Sequence, residues 1–232
     1  IFFVDVFTAL LSIVFLFFIP VKHNDEQKTV SLGYSQEIKQ GLQYARKNIF
    51  VREMLILYAF YFLLISPAAF LSPLMVARVF GEEVWKLTAN EIAFSLGTMF
   101  GGLLIAKWNG EKNRINAIAL SCFIIGITNL VLGLGGFYIF LVMMLVMGIF
   151  ASFFSSIEMT LFQERVEENM QGRVFSLVQM VATTVMPVGM LLFGPLSDIV
   201  NVRFLFVFCG ILTSVLGMYI FWNKRLKKAV GE

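Results

Sequence analysis

The stretch 172–198, GRVFSLVQMVATTVMPVGMLLFGPLSD, decides how the rest of the chain is read. After Gly172 and Arg173 it runs 23 residues, from Val174 to Leu196, without a charge, and it closes on Ser197 and Asp198. At 1.5 Å rise per residue that length crosses a hydrocarbon core of ~30 Å. Pro187, Gly189, Gly194 and Pro195 lie inside it. A proline within a soluble helix costs about 3 kcal/mol, whereas in a membrane neighbouring helices can satisfy the freed carbonyls and a bend survives. The stretch is therefore expected to be a membrane-spanning helix bent at Pro187, Gly194 and Pro195. Such a helix either moves or lines a cavity, or it is simply packed on its small residues.

Composition extends this reading to the whole chain. Of 232 residues 59% are hydrophobic and 14% charged, with a mean hydropathy of +0.84. A soluble domain carries about 25% charged residues, so the protein is an integral membrane protein. Its 26 phenylalanines suit lipid-facing and cavity-lining surfaces. Cys122 and Cys209 sit in apolar runs with no histidine or second cysteine nearby, and read as small core residues.

Seven spans are expected: 1–19, 54–76, 87–106, 115–134, 137–157, 174–196 and 204–222. No basic region precedes the first, so it does not read as a signal peptide, and the chain is expected to be a fragment of a longer protein. Lysine and arginine fix the orientation. The alternate segments 21–53, 107–114, 161–173 and the tail carry 15 of them, against only Arg78, Lys86 and Arg203 on the other side. The long loop and the C-terminus are therefore expected in the cytoplasm. Trp108 and Trp222 then mark cytoplasmic helix ends, and Trp85 an outer loop. Within the loop, Ile38, Leu42, Ala45 and Ile49 recur at helical spacing beside Lys39, Arg46 and Lys47, the pattern of an amphipathic helix on an anionic leaflet. His23 reads as a solvated surface residue. Residues 1–19 form the last span of an N-terminal bundle, 20–53 a cytoplasmic linker, 54–222 a six-helix bundle and 223–232 a basic cytoplasmic tail. Six spans, a loop and six more is the plan of transporters built from two halves.

Chemistry-bearing residues are few. A charge at membrane depth is costly and is a functional hypothesis by default. Asp5, in the first span, and Glu158, at the inner end of the fifth, are the candidate proton carriers. Asp5 has the alternative of capping or pairing with an absent helix, and Glu158 that of reaching the headgroups. Glu53 and Glu91 lie near span ends and read as interfacial. Tyr58 and Tyr61 share one helix face, where they line a cavity or bond to a neighbouring helix. Gln179 is polar among apolar neighbours and has the same two readings. Methionines at 143, 144, 147, 180, 186 and 190 offer adaptable apolar surface or core filling. Gly97 and Gly101 form a GxxxG pair that permits close helix approach. Two charged cytoplasmic turns follow. One, 107–114, holds Lys107, Gly110 and Arg114; the other, 161–173, holds Glu164, Gly172 and Arg173. Ion pairs between them would form a latch favouring one access state; simple positive-inside anchoring is the alternative. Phosphate loops, dinucleotide fingerprints, HExxH and CxxC motifs are absent from the sequence. No enzyme, cofactor, metal centre or nucleic-acid partner is expected.

The turn GGLLIAKWNGEKNR, the turn FQERVEENMQGRVFSL and the bent span MPVGMLLFGPLSD resemble the C-terminal half of a major facilitator superfamily transporter. Phe162-Gln163-Glu164 followed by Gly172-Arg173-Val174-Phe175 is the most specific part, and Val4-Asp5-Val6 and Glu91-Ile92-Ala93-Phe94 also fit. The likeness is greatest to the bacterial macrolide-efflux type, a drug-export branch concerned with antibiotic resistance. It implies an all-α helical bundle whose seven spans correspond to spans 6–12 of the family fold. It also implies alternating access, proton antiport and export of amphipathic small molecules such as macrolides across the bacterial plasma membrane. The partners implied are membrane lipid, that substrate and the missing N-terminal bundle. Cavity residues would come from the seventh, eighth, tenth and eleventh spans, with Tyr58, Tyr61, Phe94, Phe154 and Gln179 as candidates. Lys107-Trp108 departs from the family's loop pattern, where an aspartate and an arginine are usual. Siderophore, lipid or metabolite transport, or a non-transporting scaffold role, are the alternatives, since fold does not fix substrate.

Overall fold

The structure, a computed structural model, describes residues 34–108 and 113–230. By its contacts the chain falls into two units, Ile1–Gln36 and Glu37–Glu232. Of the first, only the opening turn of α1 is described. The expected span 1–19 and its Asp5 lie outside the described residues, as does Gly110.

Every regular element among the described residues is helical. In order they are α1 (Tyr34–Lys47), α2 (Ile49–Met75), a π-helical turn (Val76–Phe80), α3 (Val84–Ala106), α4 (Arg114–Leu134), α5 (Phe137–Arg165), α6 (Glu168–Ile199), α7 (Val202–Trp222) and α8 (Lys224–Val230). Six of them, α2 to α7, are long and apolar enough to cross a membrane.

The boundaries follow from capping chemistry. Asn48 divides the amphipathic α1 from α2, because its side chain accepts from the Val51 N–H at 3.3 Å and caps the new helix. The expected amphipathic helix therefore stops at Lys47, and Ile49 belongs to α2. The buried side of α1 also differs from the expected stripe. Gly41 and Ala45 are buried, while Leu42 and Ile49 are exposed. A Cβ at Gly41 would lie 3.3 Å from Leu177 and 3.4 Å from Arg173, so the small residues of α1 seat against α6.

Pro67 stays inside its helix because another group takes up the freed carbonyl. Pro67 leaves the Leu63 carbonyl without its helical donor, and the Ser66 hydroxyl donates to that carbonyl at 2.8 Å. Beyond Pro73 the helix widens into the π-turn, which ends at Gly81 with φ +113°, a conformation that a side chain would strain. The expected distortion of this span is thus the π-turn. Helix α6 runs unbroken through Pro187, Gly194 and Pro195.

Packing is organised by glycine. Helices α3 and α5 cross where a Cβ on Gly97 would collide with the Leu145 carbonyl, and one on Gly148 with the Phe94 carbonyl. Gly126 and Gly210 do the same for α4 and α7. Such crossings let backbones meet where lipid offers no hydrophobic drive. Helix α4 is the most enclosed, with 56% of its most apolar window buried, whereas α3 and α6 bury only 17% and 22%. Beyond Asn223, α8 returns the chain onto the bundle and buries Leu226 completely.

Candidate functional site

A cavity of about 450 Å³ opens between α2, α3 and α5, with Met186 of α6 closing one side. Tyr58, Tyr61, Phe62, Ile65, Ala69 and Ser72 of α2 reach it because they recur at three- and four-residue spacing along one face. Phe94 and Thr98 of α3 and Phe154 of α5 stand opposite. The Ser152 hydroxyl donates to the Thr98 carbonyl at 3.0 Å and ties α5 to α3 at the wall.

The wall is aromatic. Tyr61 and Phe154 stack with centroids 4.1 Å apart and planes 17° from parallel, and Phe62 meets Tyr58 edge-on at 4.5 Å. Met144 and Met147 add flexible thioether surface. Such a lining offers broad apolar contact, ring faces and a few hydroxyls, and it suits an amphipathic ligand.

Glu158 lies one helical turn beyond Phe154, on the same side of α5, and is only 4% exposed. It interacts with the Tyr58 hydroxyl, which itself lines the cavity. A buried carboxyl group is therefore joined to the ligand space by a single phenol. Glu158 does not reach out to the bundle surface, because α5 continues past it to Arg165.

Glu91 also lines the cavity, where an interfacial role had been the expectation. Helix α3 begins at Val84, so Glu91 stands two turns inside it. The fully buried Asn90 donates from Nδ2 to the Glu91 carboxylate at 3.2 Å, while Asn90 Oδ1 has no hydrogen-bond partner among the described residues. Glu91 is nevertheless exposed, so it faces the open side of the cavity rather than the packed interior.

The other expected site residues fall elsewhere. Gln179 is exposed on α6 and does not line the cavity; its carbonyl accepts from the Thr183 hydroxyl at 2.8 Å. The expected turn 161–173 shrinks to Val166 and Glu167, because α5 extends to Arg165 and α6 starts at Glu168. Gly172 is thus helical and exposed, a Cβ there would meet nothing within 4 Å, and Arg173 donates to the Met170 sulfur at 3.2 Å. Lys107 is the C-terminal cap of α3. Arg114 and Glu164 do come together, in an ion pair joining α4 to α5. At the opposite end Arg78 of the π-turn bonds the Ser197 carbonyl at 2.9 Å and the Asp198 carboxylate at 2.7 Å, a link to α6 that sequence reasoning had missed. Pro187 directly follows the cavity residue Met186, whereas Gly194 has open space around it. Among the described residues no cluster of three or more metal-ligating side chains occurs.

Comparison with known proteins places this geometry in context. The Major Facilitator Superfamily profile matches residues 1–189 and 85–230. Macrolide efflux protein A of Streptococcus pyogenes is 29% identical over 213 residues, covering 90% of this chain and 53% of that protein. Macrolide efflux protein A of Enterococcus faecalis is 29% identical over 191 residues, covering 81% of this chain and 59% of that protein. An uncharacterised MFS-type transporter of Bacillus subtilis is 27% identical over 155 residues, 66% of this chain and 38% of the relative. The chain spans about half the length of the curated relatives it matches. No solved structure matches it.

Proposed function

This chain belongs to the Major Facilitator Superfamily, and from that premise we propose that it forms the C-terminal half of an exporter of amphipathic drugs, macrolides among them. It is a multi-pass protein of the bacterial cell membrane, in a family of transporters. The observation that carries the proposal is the aromatic cavity with the buried Glu158 beside Tyr58 of its wall. Counted in the family's order, the four helices lining the cavity are the seventh, eighth, tenth and eleventh spans, those expected to face the substrate path. The similarity to two macrolide efflux proteins supports a macrolide as cargo.

In this reading the protein works by alternating access, with two bundles rocking about a central cavity. Export is coupled to inward proton flow, and Glu158 and Asp5 are the carboxyl groups proposed to carry the proton. Glu158 lies buried beside the aromatic wall. Substrate seated against Tyr58 and Phe154 competes for the same phenol and favours release. Arg114 with Glu164 at one end of the bundle, and Arg78 with Asp198 at the other, fix the helix ends while the bundles rock.

The test is uptake of labelled erythromycin into everted vesicles holding the full-length protein, with a proton gradient and after its collapse. Gradient-dependent uptake that Glu158→Gln or Asp5→Asn abolishes is the expected result. Gradient-dependent uptake untouched by both changes would remove these residues from the coupling path. A well-folded protein that takes up no macrolide would overturn the macrolide assignment in favour of a siderophore, lipid or metabolite as cargo, or of a scaffold role.

A further inference from the structure

The bundle end that carries Lys107 and α8 holds a second cavity, which shares no residue with the aromatic one. It measures about 480 Å³ and runs between α4 and α7, with Trp108 at its edge. Its floor is low because small residues build it, Ala117, Ala119 and Gly217; a Cβ on Gly217 would lie 2.6 Å from the Phe123 backbone nitrogen. Its walls are apolar and open to the outside, with Leu120 55% and Met218 44% exposed.

The polar end of this groove is asymmetric. Asn116 lines it, and its Oδ1 is buried without a hydrogen-bond partner among the described residues. A buried acceptor of this kind calls for a donor. The Lys227 ammonium lies 4.5 Å from the centre of the Phe221 ring, itself part of the wall, and the helix that carries it, KRLKKAV, begins two residues after the lining residue Trp222. Trp108 and Trp222 flank the opening as tryptophans do at headgroup level.

The geometry points to a binding site for phosphatidylglycerol. One acyl chain lies along Leu120, Phe123 and Met218. A headgroup hydroxyl donates to Asn116 Oδ1, and the phosphate sits among the lysines of the helix ends. A phosphodiester carries acceptors only, so it cannot satisfy Asn116 by itself; the headgroup must bring an O–H or N–H. Ethanolamine brings an N–H but leaves the lipid neutral, whereas the glycerol headgroup brings the hydroxyl and keeps the negative charge that Lys227 and its basic helix favour. Basic pockets between membrane helices bind anionic lipids for this reason. The site does not depend on what the protein transports.

Native mass spectrometry of the purified full-length protein in equimolar phosphatidylglycerol and phosphatidylethanolamine of matched chains tests this. Wild type should retain phosphatidylglycerol preferentially. Asn116→Leu should cut that retention roughly fivefold, the equivalent of one hydrogen bond, and Lys227→Gln should lower it too. Leu120→Trp, a change on the exposed wall that leaves the core intact, should displace the lipid while thermal unfolding stays at the wild-type value. Equal retention of the two lipids by wild type, or unchanged phosphatidylglycerol adducts in both Asn116→Leu and Leu120→Trp, would overturn the proposal.

Discussion

At the scale of single residues, the account turns on how Tyr61, Phe154 and Glu158 divide the work. Tyr61 and Phe154 form a near-parallel pair that a ligand must displace or extend. Removing one ring of such a pair forfeits about 0.5–1.5 kcal/mol beyond lost area, so Phe154→Ala should weaken macrolide binding roughly 2- to 13-fold. Equilibrium binding of labelled erythromycin to the purified full-length protein would measure it. Glu158→Gln keeps the shape of the site and removes the exchangeable charge. It is expected to leave erythromycin binding within about threefold of wild type while gradient-driven transport is lost, a split that a merely structural role would not produce. Much of this site could be read from residue types alone. Tyr58 and Tyr61 announce a shared face by their spacing, and a glutamate deep in an apolar run announces itself by its cost. Glu91 was missed because an exposed carboxylate near a span end reads the same whether it faces the headgroups or an open cavity, and Gln179 misled because a polar residue in a span marks either a cavity or an exposed face. Periodicity gives the angle of a side chain around its helix but not which neighbour that angle meets.

At the scale of elements, glycines decide where helices touch. Gly97 of α3 sits where an added methyl would strike the Leu145 carbonyl, while Gly102, five residues on, has nothing within 4 Å. Gly97→Ala is therefore expected to destabilise the bundle by roughly 1–3 kcal/mol through forced separation of α3 and α5. Gly102→Ala should stay within about 0.5 kcal/mol of wild type. Thermal unfolding of the two variants in one detergent distinguishes them, and a larger loss for Gly102→Ala would contradict the crossing described here. The existence of the helices was legible from apolar runs of sufficient length. Their ends were less so. Helix α5 was expected to stop near residue 157 but continues to Arg165, because Glu158 is buried against Tyr58 and so does not end the span. The π-turn after Pro73 followed from a proline pair only as a distortion of unspecified kind, since residue types alone do not say how a helix takes up a freed carbonyl.

At the scale of the whole molecule, ion pairs pin opposite ends of the bundle. Arg78 with Asp198 and Ser197 joins the π-turn to α6, and Arg114 with Glu164 joins α4 to α5. Exposed pairs contribute only ~0–1 kcal/mol each. A double-mutant cycle on Arg114→Gln and Glu164→Gln should therefore return a coupling of no more than about 1 kcal/mol, read from thermal or denaturant unfolding. A much larger value would show that the pair governs more than local docking of α4 and α5. The partnership between the two turns was foreseeable from their opposite charges, but the choice of Arg114 and Glu164 required the helix ends to be known. The central claim is that the cavity walled by Tyr61 and Phe154 is where an amphipathic drug binds. The most direct measurement is erythromycin binding to the purified full-length protein carrying Tyr61→Ala or Phe154→Ala, beside Phe208→Ala on the exposed face of α7. The account predicts weakened binding for the first two and wild-type affinity for the third. Wild-type affinity in both cavity variants, in protein that remains folded, would contradict it.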